Sequence, residues 1–135
     1  MREPRLGVEW SPKRASIRRD YAKYVSSPAW YRRRRQWLAE HREVTGEGPV
    51  CTACGQAWRL SHDDLHHRSY RRLGHELAQD LVPMCRPCHY RLHVLLDSNP
   101  EWKHVRHEQA TDMLIAHMRK EKSHAATDHQ TTERS

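Results

Sequence analysis

With 135 residues, 36% hydrophobic side chains, no Phe and a mean hydropathy of -1.05, the chain has one domain's length but little apolar material for an ordinary core. Twenty-four Lys and Arg against seventeen Asp and Glu give a formal charge of +7 and a pI near 9.6, which points to a polyanionic partner. Neither a secretory signal nor a membrane span is expected, and the reducing cytosol is the anticipated compartment.

Residues 1–19 hold Pro4, Gly7 and Pro12 among scattered charges and read as an irregular arm. Over 20–46 the pattern becomes that of a basic helix. Ser27 suits a cap and Pro28 the first helical position, and Trp30, Trp37, His41 and Val44 recur on one side before Gly46 ends the run. Arg32, Arg33 and Arg35 occupy the other side, either along a phosphate backbone or as a solvated charged face.

Cys51-Thr-Ala-Cys54-Gly55 follows as a tight turn. Trp58-Arg-Leu60 and Leu65-His66-His67 are expected to form two strands of a hairpin turning within 61–64. A loop over 68–79, carrying Arg68, Arg71 and Arg72, leads into Leu81-Val-Pro-Met84. Cys85-Arg-Pro-Cys88 then opens a helix with His89, Leu92, His93, Leu95 and Leu96. Asn99-Pro100 signals a C-terminal helix over 99–119 through Trp102, Val105, Met113 and Ala116. Residues 120–135, almost without large apolar side chains, are expected to be a disordered tail.

Cys51-x-x-Cys54 and Cys85-x-x-Cys88 are two chelating pairs of the kind that closes a four-thiolate zinc site. A redox dithiol usually occurs once and in a βαβ setting, which this sequence lacks. A structural zinc is therefore expected, and its binding supplies about 10 kcal/mol of folding free energy, which offsets the thin core.

His89 and His93 stand four apart on the predicted helix and share one face. His66 and His67 are adjacent on a strand and point oppositely, so one can complete a metal site while the other works on a water. In a chain with twelve His such pairs arise readily. Here, however, they bracket the same segment as the cysteines.

These residues resemble a known family. Leu65-His-His-Arg-Ser-Tyr-Arg-Arg-Leu-Gly74, followed by Asp80-Leu-Val-Pro-Met-Cys-Arg-Pro-Cys-His-Tyr-Arg-Leu-His93, is similar to the zinc-stabilised branch of the HNH endonucleases. Tyr21-Ala-Lys-Tyr24 through Trp30 and Trp37 resembles the helix that often precedes its first cysteine pair, so the likeness spans 21–93. It implies an α+β fold: a small ββα-metal finger over 47–98, pinned by the four-cysteine zinc and flanked by helices.

The resemblance further implies DNA as partner, with Arg32, Arg33 and Arg35 of the basic helix and Arg68, Arg71 and Arg72 of the loop as phosphate contacts, and hydrolysis of phosphodiester bonds to 5′ phosphate and 3′ hydroxyl ends. It makes His67 the general base and His66, His89 and His93 ligands of one catalytic divalent ion (Mg, Mn, Zn or Ni). The family's Asn, which orients the base histidine and the loop, falls at Asp80 here. Asp accepts the same hydrogen bonds but donates none, and its charge raises the pKa of a nearby imidazole. A noncatalytic zinc-ribbon DNA-binding protein and a nuclease acting on structured RNA are the competing readings.

Overall fold

The computed structural model describes residues 12–134, and among them four helices and one two-stranded antiparallel sheet form a small α+β arrangement. Helix α1 spans Pro12–Val25. This corrects the irregular arm over 12–19. Between Pro12 and Pro28 the chain holds no Gly or Pro, and Lys, Arg and Ala favour helix even without an apolar stripe. The rest of that arm, residues 1–11, lies outside the described residues.

Helix α2, Pro28–Thr45, begins as its sequence predicts: the Ser27 hydroxyl oxygen accepts from the Trp30 N–H at 3.3 Å. It ends at Gly46, whose φ of 74° is the left-handed conformation that suits glycine, with its N–H on the Arg42 carbonyl at 2.8 Å. Trp30 and Trp37 are buried, but Val44 is exposed and lies off the packed face.

The sheet differs from the expected hairpin. Strand β1, Asp64–His67, pairs with β2, Leu81–Met84, in the register Asp64↔Met84, Leu65↔Pro83, His66↔Val82 and His67↔Leu81. Trp58-Arg-Leu60 is not a strand. Arg34 donates to the carbonyls of Leu60 and Asp63 at 2.8 and 2.5 Å, and Arg59 N–H donates to the Asp63 carboxylate at 2.6 Å, so this segment turns before β1. Trp58 is buried, with its indole N–H on the Asp64 carbonyl at 2.7 Å.

Alternation along the two strands divides the core. Leu65 and Leu81 pack with Trp30, Trp37 and Trp58 on the α2 side. Val82 and Met84 pack on the other side with Cys51, Cys85 and Leu92 and with Leu114, Ile115 and Met118 of the last helix. Burying a side chain such as Leu92 or Met84, each 0% exposed, contributes about 1.5–3 kcal/mol.

Helix α3, Arg86–Ser98, leaves β2 directly through Cys85. Asn99 then caps a single 3-10 turn, Pro100–His104, and α4 runs over His107–Arg134. Two expectations are thereby corrected. The apolar stripe of α4 is Ala110, Thr111, Leu114, Ile115 and Met118, with Met113 exposed, because the helix starts at His107 and its phase shifts accordingly. The region expected to be a disordered tail is helical through Arg134, since no Gly or Pro interrupts it. None of the described helices is long and apolar enough to cross a membrane.

Candidate functional site

The Cys51 turn is held to the sheet by Thr52, whose N–H and hydroxyl donate to the Pro83 carbonyl at 2.9 and 3.0 Å. Gly55, at a φ of 81°, closes the turn with its N–H on the Cys51 carbonyl at 2.8 Å. Cys85 and Cys88 meet this turn from the start of α3, and the four Sγ atoms lie within 4.8 Å of one another. The Cys54–Cys85 separation is 3.7 Å. A tetrahedron with Zn–S bonds of about 2.3 Å has edges of about 3.8 Å, so the donor set fits a structural zinc. Burial raises the Cys85 and Cys88 thiols. Burial also acts on Cys51, but backbone N–H groups of Cys85, Cys54 and Ala53 outweigh it and lower that thiol.

A second cluster forms where β1 meets α3. His66 Nδ1 lies 3.2 Å from His89 Nε2, which lies 3.0 Å from His93 Nε2, and donor atoms of all three rings fall within 4.8 Å. Metal–nitrogen bonds of about 2.0–2.1 Å in tetrahedral geometry imply edges of about 3.3 Å, so this set also fits a metal ion. The outer nitrogens are held. Nδ1 of His89 donates to Asp64 at 3.0 Å, and Nε2 of His66 meets the Thr111 hydroxyl at 3.0 Å. The Asp64 carboxylate, which only accepts, fixes the His89 tautomer that leaves the Nε2 lone pair facing the centre of the cluster, whereas the Thr111 hydroxyl can donate or accept. Burial, followed by repulsion from neighbouring imidazoles, pushes His66 down to about 2 and lowers His93. Both are therefore neutral, as metal ligands must be.

His67 lies on the opposite face of the sheet. It is 1% exposed, with its ring against Trp30 (centroids 4.7 Å) and Tyr21 (5.5 Å). Its Nε2 meets the Glu76 carboxylate at 2.7 Å, and Glu76 also accepts from the Tyr24 hydroxyl at 2.9 Å. Burial pushes the Glu76 carboxyl up, but hydrogen bonds from His67, its own N–H and Tyr24 hold it below the usual range. Among the described residues, His67 Nδ1 is buried without a hydrogen-bond partner.

The expected link from Asp80 to His67 is corrected. Asp80 accepts from Arg72 at 2.8 and 2.5 Å and from the Leu77 N–H at 2.9 Å, closing the 68–79 loop, and Glu76 takes the place expected for it. Arg72 thereby pulls Asp80 below the usual carboxylate range.

A cavity of about 280 Å³ lies beside the site, lined by His89 but not by His66, His67 or His93. Tyr21 and Trp30, which touch His67, line it together with His89 and Asp64, and Arg34 and Arg86 border it. The larger cavity, about 920 Å³ between α2, the Cys51 turn and α4, contains none of His66, His67, His89 or His93.

The arginines expected to meet nucleic acid divide into two groups. Arg32, Arg35 and Arg71 are exposed. The others are engaged within the protein: Arg33 with Glu40 and the Glu76 carbonyl, Arg68 with both Asp112 oxygens, and Arg72 with Asp80. Asp64 was legible in principle, because it stands two residues before His66 and so on the same face of the strand. Glu76, Thr111 and His107, whose Nε2 donates to the His67 carbonyl at 2.8 Å, carry no local sequence signal. Comparison with family models, curated proteins and solved structures gave no match.

Proposed function

We propose that the protein is an HNH-like, metal-dependent endonuclease that hydrolyses phosphodiester bonds in DNA. The observation that carries this reading is the convergence of His66, His89 and His93, of which His89 lines a cavity whose other wall, Tyr21 and Trp30, packs on His67. The strand–strand–helix order of β1, β2 and α3, with the cysteine cluster at the base of α3, supports it.

In this reading His66, His89 and His93 hold the divalent ion, which when bound supplies Lewis-acid stabilisation of negative charge on phosphoryl oxygens. His67 accepts the proton as water attacks: a water O–H bond breaks, a P–O bond forms, and the P–O3′ bond breaks, with the 3′ oxygen protonated from solvent. Arg34 and Arg86 add positive charge at the cavity rim. The overall charge of +7 favours a polyanion.

The test is supercoiled plasmid incubated with the zinc-loaded protein under Mg, Mn, Ni and additional Zn, with the His67→Gln variant in parallel. Metal-dependent nicking by wild type that His67→Gln loses is the expected result. Binding of DNA without cleavage under every metal overturns it in favour of a zinc-ribbon binding protein, and cleavage confined to a structured RNA moves the substrate to RNA.

A further inference from the structure

Glu76 sits at the centre of a buried chain joining three segments of the protein. One carboxylate oxygen meets His67 Nε2 at 2.7 Å, the other accepts from the Tyr24 hydroxyl of α1 at 2.9 Å, and its backbone carbonyl accepts from Arg33 Nε of α2 at 3.0 Å. The side chains of Glu76 and His67 are 0% and 1% exposed. A carboxylate this deep stays charged only where donors surround it, so the His67 nitrogen facing it carries the proton.

That assignment decides the chemistry of the other nitrogen. With Nε2–H committed to Glu76, a neutral His67 has its lone pair on Nδ1, the atom left without a partner among the described residues. An unpaired buried polar atom ordinarily costs stability. A pair that served only to stabilise the loop gains nothing from leaving Nδ1 without a partner, whereas a proton acceptor requires a free lone pair. The donor from α1 completes the arrangement: Tyr24 satisfies the second oxygen, so the carboxylate cannot rotate away without losing that bond.

We infer that Glu76 is a positioning residue for His67, holding it with the help of Tyr24 in the Nε2–H tautomer so that Nδ1 is the nitrogen presented to the water. The inference rests on the nuclease reading for its purpose but not for its test. Glu76 would act through His67 and touch no substrate.

The experiment uses the full chain loaded with zinc, with histidines labelled by ¹⁵N. Long-range proton–nitrogen correlation spectra read the His67 tautomer without substrate, and plasmid cleavage under the best metal gives kcat and KM. Wild type is expected to show a single Nε2–H species. Glu76→Gln should give mixed tautomers and lower kcat by about 10–100-fold with KM within about twofold. Tyr24→Phe, which keeps the ring, should produce the same changes more weakly.

An Nδ1–H tautomer in wild type overturns the inference, as does a folded Glu76→Gln variant with unchanged tautomer and kcat. If Glu76→Gln fails to fold, Tyr24→Phe decides by the same two readouts. If wild type cuts nothing, the nuclease reading fails, while the spectra alone uphold or overturn the Glu76–His67 relationship.

Discussion

Nδ1 of His89 donates to Asp64 Oδ2 at 3.0 Å, and this bond turns Nε2 of the same ring toward His66 and His93. The bond from His89 also holds the Asp64 carboxyl below its usual range, so Asp64 is ionised near neutrality. Asp64→Asn retains the shape but loses the charge. It should weaken metal binding at the histidine cluster by about 10–100-fold. Titration with a competing chelator measures this, and unchanged affinity would remove Asp64 from the site's support.

Two separate donor sets predict two separable metals. Wild type should bind two equivalents of zinc and His93→Ala one, with its circular dichroism preserved. Cys85→Ser should unfold, because the core around Leu92 and Met84 is built on the cysteine cluster and structural zinc supplies about 10 kcal/mol or more. Metal analysis alongside circular dichroism tests both. Loss of fold in His93→Ala would show that the two sites do not have separate jobs.

The burial of His67 changes which substitution is informative. His67→Ala strands the Glu76 carboxylate, 0% exposed, and leaving a buried group without its hydrogen-bond donor costs about 1–3 kcal/mol, and more when that group is charged. Chemical denaturation should therefore find His67→Ala strongly destabilised. His67→Gln, which can still donate to Glu76, should be closer to wild type. Equal stability of the two variants would contradict a charged Glu76.

Among the arginines, exposed and engaged side chains should behave differently. Arg32→Ala and Arg35→Ala should leave unfolding unchanged and each reduce the salt dependence of DNA binding by about one unit of slope. Arg33→Ala, which frees the Glu76 carbonyl, should instead lower the melting temperature. Binding across a salt series and thermal unfolding separate these outcomes; a uniform response across the three sites would dismiss the distinction.

Asp80→Asn should reduce stability while preserving the His67 tautomer, since Asp80 closes the loop through Arg72 and Leu77. Arg72 lowers the Asp80 pKa. A carboxyl with a depressed folded pKa contributes stability that is full above its unfolded value, about 3.9, and is lost as pH falls through the folded one. The gap between wild type and variant should thus be present at neutral pH and close below about pH 4. Unfolding midpoints across an acid series test this, and a gap that persists in acid would show that charge is not its source.

The parts legible in the sequence were those set by short-range chemistry. Cys51 and Cys54 bring two thiols together from one turn, His89 and His93 share a face because a helix repeats every 3.6 residues, and Ser27, Pro28 and Gly46 mark the ends of α2 through the backbone geometry they permit. Adjacency on a strand likewise separated His66 from His67.

What tertiary structure decided were pairings between distant segments. Trp58-Arg-Leu60 has the composition of a strand, but Arg34 takes its neighbouring carbonyls, and Leu81–Met84 becomes the partner of β1. Asp80 and Glu76 are both acids in one loop, and no local pattern tells which meets His67. The fold chooses Glu76 because Tyr24, Arg33 and His67 surround it, while Arg72 claims Asp80. Periodicity along a chain orients a side chain, but the partner it meets depends on segments brought together only when apolar surface is buried.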